Sequence, residues 1–382
     1  MSTLLPRSAV QSLAPYVPGR PIEEIEREFG VTGAMKLASN ENPLGPSPMA
    51  LAAAHEALAN VHRYPDGSAT VLRRKMSAVF GVDADQIILG AGASELIDIT
   101  MRTFLEPGLE AVFPAGIFRM FPVAVGRSGA RIVEVPVRAD LTPDLAAMLS
   151  AITPQTRIVA IANPNNPTGA YVPLDALSAF LAKLPEHVLM VLDEAYFEFA
   201  SGLVPDYPNG LSFLDGSRNL VVLRTFSKIA GLAGLRLGYG FGPKPVIFSM
   251  NKVREPFNAN SVAQAAALAA LDDEDHRARV RTLVSEERAF LFGELARRPV
   301  VVHPSIGNFL LVETGGTFDA LANDFLRRGV ILRPMGSWGY PLGFRVSVGL
   351  HEENVRFLAV LDELIAAGVV TPARLVPAPS AS

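Results

Sequence analysis

Seven short apolar runs along the first two-thirds of the chain constrain its fold more than any other feature. They are Gln86–Leu89, Ala111–Phe113, Arg131–Val135, Arg157–Ile161, Val188–Leu192, Leu220–Leu223 and Leu237–Phe241, separated by segments of helical character. Several are rich in valine and isoleucine and lack the strict alternation of a strand with one wet face. Such runs suit strands covered on both faces, as in a largely parallel sheet with helices above and below. The βαβ rhythm therefore predicts an α/β fold, a mostly parallel mixed sheet flanked by helices.

The texture changes after about residue 265. Two helices, about 262–271 and 274–298, lead into Ile306–Val312, a helix at Phe318–Arg328, Val330–Arg333 and Phe344–Val348. That alternation predicts a smaller α+β domain. The proline-punctuated first 35 residues, with one helical candidate at Ile22–Phe29, are expected to return to it. With 382 residues the chain has room for two or three domains. The expected division is a large domain over 36–265 and a small one from 1–35 with 266–370. Residues 371–382, rich in proline, alanine and serine, are expected to be a disordered tail.

Composition removes several classes of function. A net charge of −4 offers no basic excess for nucleic acid. The chain has no cysteine, which excludes disulfides, zinc–thiolate sites and a cysteine nucleophile. No metal site is expected. Nowhere do 18 apolar residues run together, so no membrane span is expected. The N-terminal segment carries prolines and an arginine where a signal peptide needs an unbroken apolar stretch, and the expectation is a soluble cytoplasmic protein.

Polar and glycine-rich signatures follow directly on the apolar runs. Leu89 is followed by Gly-Ala-Gly-Ala-Ser-Glu (90–95), and Ile161 by Ala-Asn-Pro-Asn-Asn-Pro-Thr-Gly (162–169). Leu192 is followed by Asp-Glu-Ala-Tyr (193–196), and Leu223 by Arg-Thr-Phe-Ser-Lys (224–228). Ligands of open parallel sheets bind beyond the carboxyl ends of the strands, so all four would meet at one rim. Each has a plain structural reading beside a functional one. The small residues 90–94 make either an ordinary strand-to-helix turn or an anion site at a helix start. Pro164, Pro167 and Gly169 make either a rigid loop or a device that aims Asn166. Asp193 is either a helix cap or the partner of a buried cation. Lys228 is either a solvated surface lysine or an amine that works uncharged, its pKa lowered by desolvation and by a cation such as Arg236.

Together these motifs resemble the fold-type I aminotransferases that depend on pyridoxal phosphate (PLP). The carriers are Asn-Pro-Asn-Asn-Pro-Thr-Gly (163–169), Asp-Glu-Ala-Tyr (193–196) and Ser-Lys-Ile-Ala-Gly-Leu-Ala-Gly-Leu-Arg (227–236). The chain is similar, more closely, to the histidinol-phosphate aminotransferase family. The segments behind that likeness are Tyr16-Val-Pro-Gly19, Ser39-Asn-Glu-Asn-Pro43, Arg63-Tyr-Pro-Asp-Gly67, Arg333-Pro-Met335 and Arg345-Val-Ser-Val-Gly349.

The resemblance implies roles. Lys228 would hold PLP covalently and move the proton at the substrate carbon. Asp193 would pair with the protonated ring nitrogen, and Asn166 and Tyr196 with the ring oxygen. Arg236, Thr225, Ser227 and the amides of Ala93 and Ser94 would hold the phosphate. Phe118 would stack on the ring. Tyr64 would reach the cofactor phosphate of a neighbouring subunit, which implies a homodimer with shared sites. Arg345, with Arg333, would bind the acidic group of the substrate, and Asn308, Asn42 and Tyr16 would lie on the substrate side.

The implied reaction is transamination between L-histidinol phosphate and 2-oxoglutarate, a small-molecule amino donor and a 2-oxo acid acceptor. Aromatic or other amino-acid transamination and O-phospho-amino-acid decarboxylation are the alternatives on the same scaffold. A nucleotide-binding dehydrogenase is disfavoured, since Gly90 and Gly92 lack the full glycine fingerprint. Some positions depart from the family pattern. Ala91 and Ser94 replace the usual Asn and acidic residue, 113–121 lacks the usual tyrosines, and Ala230 stands where many relatives carry an aromatic residue.

Overall fold

The computed structural model describes residues 5–11, 13, 19–214 and 218–373. Its strands, in chain order, are β1 (Met35–Lys36), β2 (Ile87–Gly90), β3 (Glu110–Pro114), β4 (Arg131–Val135), β5 (Thr156–Ala162), β6 (Leu189–Asp193) and β7 (Leu220–Thr225). There follow β8 (Gly238–Phe241), β9 (Val301–Val302), β10 (Phe309–Glu313), β11 (Val330–Ile331), β12 (Arg333–Pro334) and β13 (Gly343–Ser347).

The seven apolar runs form one seven-stranded sheet in the order β2-β8-β7-β6-β5-β3-β4. Its pairings are parallel except along β8, which runs against both neighbours. Successive side chains feed opposite faces, the period of two that a strand imposes. Val159, Ile161, Met190, Leu192 and Val222 enter one core, with the buried faces of helices Leu174–Leu181 and Ser261–Ala270. Ile158, Ala160, Val191, Val221 and Leu223 enter the other, with helices Ala93–Phe104 and Met120–Ser128. Both faces are thus covered, as the runs require. β4 is the exception: it is the sheet edge and mostly exposed, so its apolar run does not mark a doubly covered strand.

A four-stranded antiparallel sheet, β12-β13-β10-β9, stands beside this layer. Its apolar side packs on helices Glu274–Ala296, Phe318–Leu326 and His351–Ala366 through residues such as Val284, Phe325, Phe344 and Phe357. The run Val330–Arg333 does not form a single strand. Val330 and Ile331 pair in parallel with Met35 and Lys36, whereas Arg333 and Pro334 join β13. Short β1 therefore ties the segment after helix Ile22–Phe29 to the C-terminal half. Of residues 371–382, Thr371 and Ala373 are hydrogen-bonded, to Gly315 and Pro299. Residues 374–382 lie outside the described residues. Among the described residues no helix is long and apolar enough to cross a membrane.

Candidate active site

β2, β5, β6 and β7 end at the same rim, and the reversed strand β8 begins there, Gly238 pairing with both Gly90 and Thr225. The motifs that follow those strands meet in one cavity of ≈ 190 Å³. Asp193, Lys228, Asn166 and Tyr196 line it, together with Arg333 and Arg345 from the smaller sheet.

Lys228 Nζ donates to the Ser39 carbonyl at 2.9 Å. Burial first, and then the Arg345 charge, bring its pKa down from 10.5 to about 7. Arg236 adds to the same lowering, though less than Arg345. A lysine near 7 can lose and regain a proton at neutral pH, which a solvated one cannot. Asp193 is 4% exposed and accepts from the Ala195 N–H at 3.0 Å. Burial raises its carboxyl to about 7, helped by the neighbouring Glu194 charge and opposed by the Ala195 N–H and by Lys228. A carboxyl held up in this way lacks a cation close enough to settle it, and one bound beside it would lower it again.

Ala93 and Ser94 open the helix Ala93–Phe104, whose N-cap Gly92 supplies no side-chain cap. Both residues line the cavity, together with Thr225, Ser227 and Arg236. Such a helix start suits a dianionic group. Gly92 has φ +84°, and a Cβ there would come within 2.5 Å of Arg236 Nη2, so the turn admits glycine alone without moving the arginine. A Cβ on Gly238 would lie 2.4 Å from the Ala93 backbone N. Gly238→Ala is therefore expected to cost about 1–3 kcal/mol and to weaken anion binding at the helix start, as thermal unfolding and phosphate titration would read. Unchanged stability and affinity would contradict the close packing of β8 on that turn.

Tyr196 is 5% exposed and lies edge-on to Phe309, ring centroids 5.0 Å apart. Asn166 Nδ2 donates to its hydroxyl at 3.2 Å, and Asn166 Oδ1 accepts from Arg345 Nη1. Arg345 is 5% exposed, and its Nη2 donates to the Ala38 carbonyl at 2.6 Å. Phe118 reaches the cavity and is tilted against Trp338, centroids 5.9 Å apart.

Two residues expected on the substrate side, Asn308 and Asn42, do not line the cavity. Asn308 is fully buried and off the cavity wall, because its Nδ2 is taken up holding the Asn40 carbonyl at 3.1 Å. Asn42 is likewise turned away, donating to the Ile229 carbonyl at 2.9 Å, so both fix the loop over Lys228 from behind. Tyr64 is 83% exposed and stacked on Phe257 at 4.8 Å, on the outer surface. Tyr16 lies outside the described residues.

Other participants were not singled out in the sequence. Trp338, the single tryptophan, closes one side of the cavity. Behind Asp193, Glu194 and Arg224 form a buried pair: Glu194 Oε2 accepts from Arg224 Nε at 2.9 Å and from Nη2 at 2.7 Å. The guanidinium lies 3.5 Å over the Phe197 ring. With both partners at most 2% exposed, the fork-to-carboxylate bond is what makes this burial tolerable.

The chain's similarity to known proteins falls on this same architecture. The model of the family described as aminotransferase class I and II matches residues 32–360. A histidinol-phosphate aminotransferase of Anaeromyxobacter sp. is 48% identical over 359 residues, 94% of this chain and 98% of that protein. Histidinol-phosphate aminotransferase 1 of Nitrosococcus oceani is 46% identical over 361 residues, 94% of this chain and 97% of that protein. Among solved structures, the histidinol-phosphate aminotransferase of Sinorhizobium meliloti in complex with pyridoxal-5'-phosphate superposes with a TM-score of 0.87 at 30% identity. The match covers 96% of this chain and 99% of that one.

Proposed function

The chain belongs to the aminotransferase class I and II family, and from that premise we propose that it transfers the amino group of L-histidinol phosphate to 2-oxoglutarate with PLP as cofactor. The observation that carries the reading is the convergence of a buried lysine near pKa 7, a buried carboxyl also near 7, and an uncapped helix start beside Arg236 in one cavity. These are the three chemical demands of PLP: an amine for its aldehyde, an anion for its ring nitrogen and N–H donors for its phosphate. When bound, PLP supplies an electron-withdrawing cationic ring that makes the proton on the carbon beside the amine removable.

The chain's residues do the rest. Asp193 keeps a proton on the ring nitrogen. Lys228 holds the cofactor and takes and returns the proton at the substrate carbon, a task suited to a pKa near the working pH. Asn166 and Tyr196 would hydrogen-bond the ring oxygen. Ala93, Ser94, Thr225, Ser227 and Arg236 would hold the phosphate, and Phe118 would cover the ring. Arg345 and Arg333 line the cavity as two cations, which suits an acceptor with two carboxylates and a donor carrying a phosphate.

We extend the proposal to a homodimer in which Tyr64, exposed beside Phe257, completes the partner's site. The cytoplasm is its place, because a phosphorylated amine and a 2-oxo acid do not cross membranes unaided. The large part over 36–265 would carry the cofactor, and the small part, 1–35 with 266–370, would bring in the substrate arginines.

Steady-state rates at matched concentrations test the substrate. Glutamate formation from 2-oxoglutarate is expected to be fastest with L-histidinol phosphate, at least about tenfold above phenylalanine or tyrosine in kcat/KM, since a phosphate ester adds charge-assisted hydrogen bonds. Brisk turnover of phenylalanine beside negligible turnover of the phosphate ester would overturn the assignment and leave an aromatic aminotransferase.

A further inference from the structure

The Tyr196 hydroxyl sits where two carboxamides converge. Asn40 Nδ2 donates to it at 2.9 Å and Asn166 Nδ2 at 3.2 Å. The orientation of an amide is decided by what its oxygen meets. Asn40 Oδ1 accepts from the Ser347 hydroxyl at 3.1 Å, and that same Oγ accepts from the Asn40 backbone N–H at 2.8 Å. Asn166 Oδ1 accepts from Arg345 Nη1. Ser347 and Arg345 are two residues apart on β13 and so share one face of the strand. One strand face therefore fixes both amides with their N–H groups toward Tyr196.

A phenol oxygen offers two acceptor sites and one proton. Two N–H donors fill the acceptor sites, which leaves the proton to be given in another direction, and Tyr196 lines the cavity. Asn40 is fully buried and holds φ 52°, a conformation that asparagine tolerates better than most residues. Both polar atoms of its side chain are committed here, Oδ1 to Ser347 and Nδ2 to Tyr196. Resting on the reading of the cavity as a PLP site, we infer that Asn40, oriented by Ser347, is a positioning residue that keeps the Tyr196 hydroxyl a hydrogen-bond donor into that site.

Charged groups reach Tyr196 from three sides: Arg345 on β13, Asp193 at the end of β6, and Lys228, whose Nζ lies 5.7 Å from the ring centroid. Phe309, on β10, is apolar. Burial raises the phenol's pKa, while Arg345 and the Asn40 hydrogen bond oppose the rise. A neutral substitution at Asn40 removes the hydrogen bond and leaves all three charges in place.

The test is a pH titration of the visible absorbance of the PLP-loaded protein. A donor facing an anionic ring oxygen favours the deprotonated form, so losing it moves the midpoint up. Asn40→Gly keeps the left-handed backbone and removes the carboxamide; an upward shift of about one pH unit is expected, the scale of one hydrogen bond. Ser347→Ala, which frees the amide to turn over, should shift the midpoint the same way. Tyr196→Phe should shift it as well, and Asn40→Gly in that background should add nothing, since both act through one hydroxyl. A parental midpoint in PLP-loaded Asn40→Gly and Ser347→Ala, or additive shifts in the double variant, would overturn the role of Asn40 and leave the PLP reading standing. A parent protein that develops no visible absorbance with PLP would remove both.

Discussion

Lys228→Ala is expected to lower the transamination rate by about 10⁴-fold or more, because it removes the covalent anchor and the proton carrier in one step. Lys228→Arg should be equally inactive. Arginine keeps a positive charge but does not release its proton near neutral pH, so the comparison separates charge from proton transfer. The loss should not reflect unfolding. In the cofactor-free protein the Lys228 pKa falls from 10.5 to about 7 on folding. The unfolded chain then holds more protons between those values, so stability from this group is fully present above about 10.5 and is lost as pH falls toward about 7. Below about 7 the lysine is a constant burden that alanine lacks. Cofactor-free Lys228→Ala should therefore unfold at or above the parent's temperature at pH 7, with the advantage fading above pH 10. A variant within tenfold of the parent rate would remove Lys228 from the mechanism. A large drop in unfolding temperature at pH 7 would assign its effect to folding instead.

Much of this arrangement was legible in the sequence because it rests on local rules. Strands covered on both faces need continuous apolar runs, and chemistry at the rim of a parallel sheet must follow those runs directly. Asp193, Tyr196, Thr225 and Lys228 could therefore be placed before any contact was known. What was not legible depends on pairings across long stretches of chain. Asn40 and Ser347 are 307 positions apart and meet only when β13 docks over the loop after β1. The resemblance implies a place on the substrate side for Asn308 and Asn42, yet their Nδ2 groups donate to backbone carbonyls. Glu194 follows Asp193 and points the other way, into a buried pair with Arg224 that nothing in the run Asp-Glu-Ala-Tyr announces. Trp338 entered the cavity from a short helical turn between β12 and β13, with no periodic signal around it. The edge strand β4 shows the limit of the local rule itself: Val and Ile content marks a strand but not how many neighbours cover it.

Asp193→Asn should separate stability from function in the opposite pH window. Asparagine can still accept from the Ala195 N–H, which Asp193 does at 3.0 Å, so local geometry is kept. In the cofactor-free protein, folding raises the Asp193 pKa from 3.8 to about 7. The folded state then holds more protons between those values, so stability from this group is fully present below about 3.8 and is lost as pH rises through about 7. Above that pH a buried, uncompensated carboxylate burdens the parent and is absent from the variant. Cofactor-free Asp193→Asn should match the parent near pH 4 and exceed it at pH 8 by a few kcal/mol, read by urea unfolding. With PLP the order should reverse. The parent gains a cation beside its carboxylate, and the neutral amide cannot hold the ring nitrogen protonated. We expect the variant to bind PLP at least about tenfold more weakly and to lose about 10²-fold or more in the rate of proton removal. Unchanged PLP affinity with a normal rate would take the ring nitrogen away from Asp193. Equal stability of the two cofactor-free proteins at pH 8 would mean that the carboxylate is already compensated by Lys228 when the cofactor is absent.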